Sequence, residues 1–220
     1  MKIEYILVFI CSMLALYLIK PTWERYNITK TITKPKICIL LTMYCMPKRV
    51  KLYKSVARKW VDTGLPVFII DSYGTGLDDV PNVTQGIFKQ NQSFVHFGPS
   101  LVEKESIVQA LNLLPELKSY DLIFKVTGKY YLPDFSKILD NIPRDIEIVL
   151  QNQTVTHGQN SEIFGIKPKL MHKVLDSIDN NTTMELALFN TCKEYKCYRM
   201  PPLIPDKKIK RGDNQSLDYL

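Results

Sequence analysis

Apolar residues fall in short unbroken runs separated by stripes at helical spacing, the pattern of a sheet covered on both faces. Ile37 to Thr42 is the first such run, and a strand buried on both sides reads as continuous hydrophobicity, not alternation. After the turn Cys45-Met-Pro47, Pro47 suits a first helical position. Val50, Tyr53, Val56, Ala57, Trp60 and Val61 then recur at helical spacing, Gly64 stops the helix and Pro66 delays the next element. Val67 to Ile70 predicts a second strand ending at Asp71, the segment Ser72-Tyr-Gly-Thr-Gly76 a loop, and Ser93 to Phe97 a third short strand. Ser100 and Glu103 have capping-box spacing, opening a helix whose stripe includes Ile107, Ala110, Leu111 and Leu114. Asp121 to Val126 is the next strand.

Past Pro133 a short helix runs to Asp140, and Glu147 to Gln151 starts another strand. Ser161 to Ile166 reads as half-buried extended chain, Pro168 to Ile178 and Met184 to Thr191 as helices, and Lys196 to Met200 as a late strand. Strand, helix, strand, loop, strand, helix, strand is the order of an α/β fold with right-handed crossovers and a mainly parallel sheet flanked by helices. No internal repeat divides residues 36–220, which are long enough for one substantial core.

The first twenty residues are a different material. Ile6 to Ile19 is apolar apart from Cys11, Ser12 and Tyr17, with Lys2 before it and Lys20 after it. Fourteen helical residues span about 21 Å against a hydrocarbon core of roughly 30 Å, and the stems of the flanking lysines extend that reach. Tyr17-Leu-Ile19 offers no small-residue cleavage pattern. The expectation is therefore an uncleaved single-pass membrane anchor over 1–20 and a short stem over 21–35; a signal peptide and a buried amino-terminal element are the alternatives. Seven of the eleven asparagines (Asn27, Asn82, Asn91, Asn152, Asn180, Asn181 and Asn214) begin an N-x-Ser/Thr triplet without proline. Such acceptors are used outside the cytosol, which points to a body in the lumen of the endoplasmic reticulum or Golgi. Cys192 and Cys197 are spaced to close a small loop, and Cys38 falls within a strand.

A net charge of +7 admits anionic ligands. Its cations are scattered, and the densest cluster, Lys207 to Arg211, is too short for a duplex-binding stripe, so no nucleic acid is expected as a partner.

Candidate chemistry concentrates in Asp121-Leu-Ile-Phe-Lys-Val-Thr-Gly-Lys-Tyr-Tyr131. A strand emptying into a glycine turn with cations and aromatics at its carboxyl end is where open α/β sheets place ligands. Lys125 is unusual inside an apolar run, because a buried ammonium must be paired or functional. Lys125 and Lys129 are candidates to meet an anionic group, with Tyr130 or Tyr131 beside a ring. Asp71, ending the second strand, is placed to accept hydrogen bonds from a base or ribose; an Asx turn into Ser72 is the alternative. Phosphate-loop, dinucleotide and nucleophile-elbow motifs are absent, as is any Cys/His metal spacing, and His96, His157 and His172 are scattered.

Four stretches together resemble the nucleotide-sugar glycosyltransferases of GT-A fold: Ile37-Cys-Ile-Leu-Leu-Thr42 with Arg49 and Tyr53, Val67-Phe-Ile-Ile-Asp-Ser72, Glu103-Lys-Glu-Ser106, and Phe124-Lys-Val-Thr-Gly-Lys-Tyr130. The likeness covers 36–131 well, and Ser161-Glu-Ile-Phe-Gly165 and Arg211-Gly-Asp-Asn214 extend it loosely. It implies a nucleotide-sugar donor, a glycan or glycoconjugate acceptor, Thr42, Tyr44 and Arg49 near the nucleotide, Asp71 on the base or ribose, and Lys125, Lys129 and Tyr130 near the diphosphate and sugar.

One departure matters. The Asp-x-Asp that usually holds a divalent cation in this family is replaced by Lys125, Thr127 and Lys129. Cations can stabilise a leaving diphosphate directly, so the expectation is metal-independent transfer, with Mn2+ or Mg2+ held by Asp134 or the Asp78-Asp79 pair as the alternative. An inverting transfer also needs a general base beside the acceptor hydroxyl. Glu162 is the first candidate and Glu185 the second, while Arg211 and its neighbouring lysines are candidates for a lid over the diphosphate.

Overall fold

The computed structural model describes residues 34–91, 98–151 and 160–201. The expected anchor, most of the stem, His96, His157, the strand expected at Ser93 to Phe97, and Arg211 with its tail lie outside the described residues. Among the described residues no helix is long and apolar enough to cross a membrane.

A seven-stranded sheet carries the fold, with spatial order β3-β2-β1-β4-β6-β5-β7. Its strands are β1 (Ile37–Met43), β2 (Val67–Asp71), β3 (Val83–Ile87), β4 (Leu122–Thr127), β5 (Ile148–Gln151), β6 (Ile163–Ile166) and β7 (Cys197–Met200). The helices are α1 (Pro47–Val61), α2 (Pro99–Leu113), α3 (Phe135–Asp140), α4 (Pro168–Asp176) and α5 (Met184–Thr191), with a 3-10 segment at Pro115–Ser119. Strands β3, β2, β1 and β4 run parallel, β5 and β7 pair parallel, and β6 alone runs against its neighbours β4 and β5.

Strand periodicity divides the core into two layers. Ile39, Leu41, Phe124 and Val126 face α1 and α3, where Tyr53, Val56, Ala57, Trp60 and Phe135 are buried. Cys38, Leu40, Ile123, Phe164 and Ile166 face α2, α4 and α5. Trp60 stands edge-on to Tyr131 and Phe135 at 5.3 and 5.0 Å and donates its indole N–H to the Tyr130 carbonyl at 2.9 Å. Helix α1 thereby grips the chain just after β4.

Four expectations need correction. The edge strand β3 went unread because Val-Thr-Gln-Gly-Ile has neither a continuous nor an alternating apolar pattern, and only Gly86 in it is buried. β6 is buried along its whole length, not half-buried, because it sits between β4 and β5 with a layer on each face. The capping box at Ser100 and Glu103 does not form: Pro99 sets the first helical turn after Gly98, the Ser100 hydroxyl accepts from the Met184 N–H at 3.2 Å, and Glu103 turns to Lys125. Cys192 and Cys197 are unbridged.

Candidate active site

The parallel register puts the candidate residues at one end of the sheet. Thr42 of β1 stands level with Ile70 of β2 and Thr127 of β4, and Met43 with Asp71. Since β6 runs against β4, with Val126 opposite Ile163, its first residues also arrive there. Ser161 and Glu162 thus meet the carboxyl end of β4, the usual ligand-facing edge of an open α/β sheet.

Asp71 is fully buried, and its two oxygens accept five backbone N–H groups. Cys45 and Tyr73 donate to Oδ1 at 2.9 Å each, and Gly74, Thr75 and Gly76 donate to Oδ2 at 3.1, 3.0 and 2.8 Å. The left-handed backbone at Gly74 and Gly76 (φ 99° and 70°) wraps the loop around the carboxylate. Burial pushes the carboxyl upward, and the hydrogen bonds from Cys45, Tyr73, Gly76 and Thr75 outweigh it, holding the group below the ordinary value of 3.8. The Asx-turn alternative therefore describes this residue, since its acceptor capacity is already committed to the loop. Beside it, Tyr44 and Tyr73 stand edge to face at 5.1 Å. Arg49, in the first turn of α1, lies against the buried Tyr53 hydroxyl.

Lys125 occupies an apolar position on the α2 face of β4 and has no solvent exposure. An ammonium carries three donors, and all three are engaged: with Glu103 of α2, with the Thr127 hydroxyl at 3.1 Å, and with the Ser161 carbonyl at 2.8 Å. Burial pulls this lysine down from 10.5 to about 7, with Glu162 and Glu185 opposing the shift and Lys129 adding to it. Lys125 is thus a positioning residue in this arrangement, joining α2, β4 and the entry to β6. It does not reach solvent, as direct contact with a phosphate would require.

Glu162 is partly exposed, with 31% of its side chain accessible. The Tyr130 hydroxyl donates to its Oε1 at 2.8 Å, Asn160 Nδ2 approaches Oε2 at 3.4 Å, and Lys129 Nζ stands 3.9 Å from Oε1. The Thr127 N–H donates to the Glu162 carbonyl at 2.8 Å, so β4 fixes its backbone as well. Lys129, 26% exposed, lies over the Tyr130 ring at 4.8 Å. Glu185, in the first turn of α5, accepts the Ser161 hydroxyl at 2.8 Å. Between the strand and this cluster comes Gly128, where a Cβ would lie 2.4 Å from Met43 Cγ and 3.1 Å from the Thr42 carbonyl. Any side chain here would force Met43 to move.

Lys125, Lys129, Tyr130, Glu162 and Glu185 are therefore brought together, and Thr42, Tyr44 and Asp71 line the same sheet end beside them. The cluster holds two ammonium groups and three carboxylates (Glu103, Glu162 and Glu185), so the lysines expected to meet an anionic ligand already face acidic side chains. Sequence reasoning passed over Glu103, Ser161, Asn160 and Tyr73 as site residues. The signal for Glu103 was Lys125 itself, since a buried ammonium demands a carboxylate. His172 is exposed. The alternative metal ligands are surface residues, with Asp134 paired to Lys137 and Asp79 to Lys54.

The end of β4 carries Lys125 and, just beyond it, Lys129, where carboxylates would hold a divalent cation, and the nearby glutamates are engaged by Lys125, Tyr130 and Ser161. Among the described residues no group of three or more His, Cys, Asp or Glu could hold a metal ion.

Comparison with protein-family models and with curated proteins finds no match. Solved structures do match. The mannosyltransferase PcManGT of Pyrobaculum calidifontis, solved with GDP-Man and Mn2+, superposes with a TM-score of 0.50 at 12% identity, over 82% of this chain and 59% of that one. A cytidylyltransferase of Leptospira borgpetersenii gives 0.47 at 17% identity, over 79% of each chain. The glycosyltransferase GlyE of Streptococcus pneumoniae gives 0.47 at 7%, over 76% of this chain and 45% of that one. The fold is that of the GT-A-type nucleotide-sugar glycosyltransferases, and the chain spans 59% of the mannosyltransferase it resembles.

Proposed function

We propose that this chain transfers a sugar from a nucleotide-sugar donor to a hydroxyl of a glycan or glycoconjugate, without a divalent cation at the end of β4. The observation that carries the reading is Glu162, a partly exposed carboxylate held by Tyr130 where β4 and β6 meet on a GT-A-type sheet. Glu162 takes the proton of the acceptor hydroxyl as that oxygen attacks the anomeric carbon. The bond from that carbon to the donor's diphosphate breaks, and the nucleotide leaves with the electron pair. Lys129 is the partly exposed cation positioned to meet the leaving diphosphate, and Tyr44 and Tyr73 are the aromatic surface for the base. Glu185 orients Ser161, and Lys125 orients the same segment from the core. Membrane attachment through residues 6–19 and a lumenal body belong to the same proposal, supported by that apolar run and the seven glycosylation triplets.

The test incubates the full chain with a panel of nucleotide sugars and glycan acceptors, with Mn2+ or with a chelator. Released nucleotide and product mass are read. The expected result is transfer from at least one donor at a rate the chelator leaves unchanged. Loss of transfer on chelation overturns the metal-free reading. A second reading, a non-catalytic glycan- or nucleotide-binding protein on this scaffold, draws on Asp71 and Lys125 being internally satisfied. Donor binding without transfer or hydrolysis across the panel selects it.

A further inference from the structure

Strand β3 closes one side of the sheet and pairs only with β2 among the described residues. An open edge presents unpaired N–H and C=O groups to any other strand, and proteins usually blunt it with charge, proline or a bulge within the strand. Val83-Thr-Gln-Gly-Ile87 contains none of these. It also ends on Ile87, which is 48% exposed. The backbone groups along such an edge can pair with the same strand of a second copy.

The triplet Asn82-Val83-Thr84 begins at this edge. Asn82 is exposed, in the turn that delivers the chain into β3, with a left-handed backbone (φ 59°) that asparagine tolerates. Thr84 is exposed on the strand itself. We propose that Asn82 carries an N-linked glycan whose role is to cover the edge of β3 that has no partner among the described residues and so stop edge-to-edge association of the chain. The donor is an oligosaccharide on a lipid diphosphate. The Asn82 Nδ2 to sugar C1 bond forms, the C1 to phosphate-oxygen bond breaks, and the lipid diphosphate departs with the electron pair while the amide proton passes to a base of the modifying enzyme. A hydrated, branched saccharide beside the first residues of β3 supplies the bulk that the strand's own side chains lack.

This inference rests on the lumenal placement proposed above and not on the transferase chemistry. The full chain is produced in a eukaryotic secretory host and treated with a glycan-removing amidase. Peptide masses then show whether Asn82 has become aspartate, and light scattering in detergent measures self-association before and after treatment. The expected result is modification at Asn82, with self-association rising after treatment and in N82Q and T84A, but not in T84S, which keeps the triplet. T182A, which removes the Asn180 triplet in the loop between α4 and α5, leaves self-association unchanged. An unmodified Asn82 overturns the proposal. A modified Asn82 whose removal leaves association unchanged overturns the shielding role. Both readouts are independent of catalysis, so neither depends on the outcome of the donor screen.

Discussion

Two buried charges at the same end of the sheet are satisfied in opposite ways. Asp71, at the end of β2, is held by four N–H groups from the five residues that follow it and by Cys45 across β1. Lys125, in β4, is held by side-chain and carbonyl groups from α2 and from the entry to β6, 22 and 36 residues away, and by Thr127. The first is mainly a local motif that folds its own loop. The second depends on the tertiary structure being complete. It follows that Asp71 shapes one wall of the site, whereas Lys125 ties together the segments that carry Glu162 and Glu185.

The largest expected effect is therefore at Lys125. K125M leaves Glu103, 19% exposed, without its cation and the Ser161 carbonyl without its donor, and should cost about 3 kcal/mol of stability, read from denaturant midpoints. The double variant E103Q/K125M should recover part of that loss. Equal damage in the double and single variants would mean the pair is not what anchors α2 to β4. The same group imposes a pH dependence. Its folded value lies near 7 and its unfolded value near 10.5, so across that window the unfolded chain binds the extra proton and stability climbs with pH. K125M should lack this climb.

Asp71 comes second. D71N keeps an acceptor for two of the five N–H groups but turns an amide NH2 towards the rest, at a cost of about 2–3 kcal/mol. Because its folded value is depressed, its contribution is present above 3.8 and lost as pH falls through the folded value. Acid unfolding of D71N should be less steep than that of the parent, measured by circular dichroism. The smallest effect separates positioning from folding: Y130F removes the hydrogen bond to the partly exposed Glu162 carboxylate, worth about 1.5 kcal/mol. That corresponds to a roughly tenfold fall in kcat, with KM for the donor unchanged.

The contrast between the two charges also marks what could be read from the chain. Continuous apolar runs located β1, β2 and β4, and the stripes located α1, α2 and α4, because burial on both faces or on one leaves a period in the residues themselves. Asp71 was singled out first as an acceptor for a base or ribose, with the turn only as the alternative, although a carboxylate followed by Ser-Tyr-Gly-Thr-Gly is a local turn signal. β3 was not legible, because an exposed edge strand places no periodic demand on its side chains. Lys125 stood out as an anomaly, but its resolution by Glu103 was hidden. Partners 22 residues apart leave no spacing signal, and Ser100 with Glu103 matched a capping box by coincidence. Glu162 was named as the first candidate base, and the antiparallel run of β6 explains why its position reaches the end of β4.

Glutamine in place of Glu162 is the most direct test of the central claim. Full-length parent and E162Q are compared for transfer from the donor selected in the panel. The expected result is a fall in kcat of about 10²–10⁴-fold, with donor binding and melting temperature close to the parent's. Turnover equal to the parent's would contradict the assignment of Glu162 as the base and with it this account of the site.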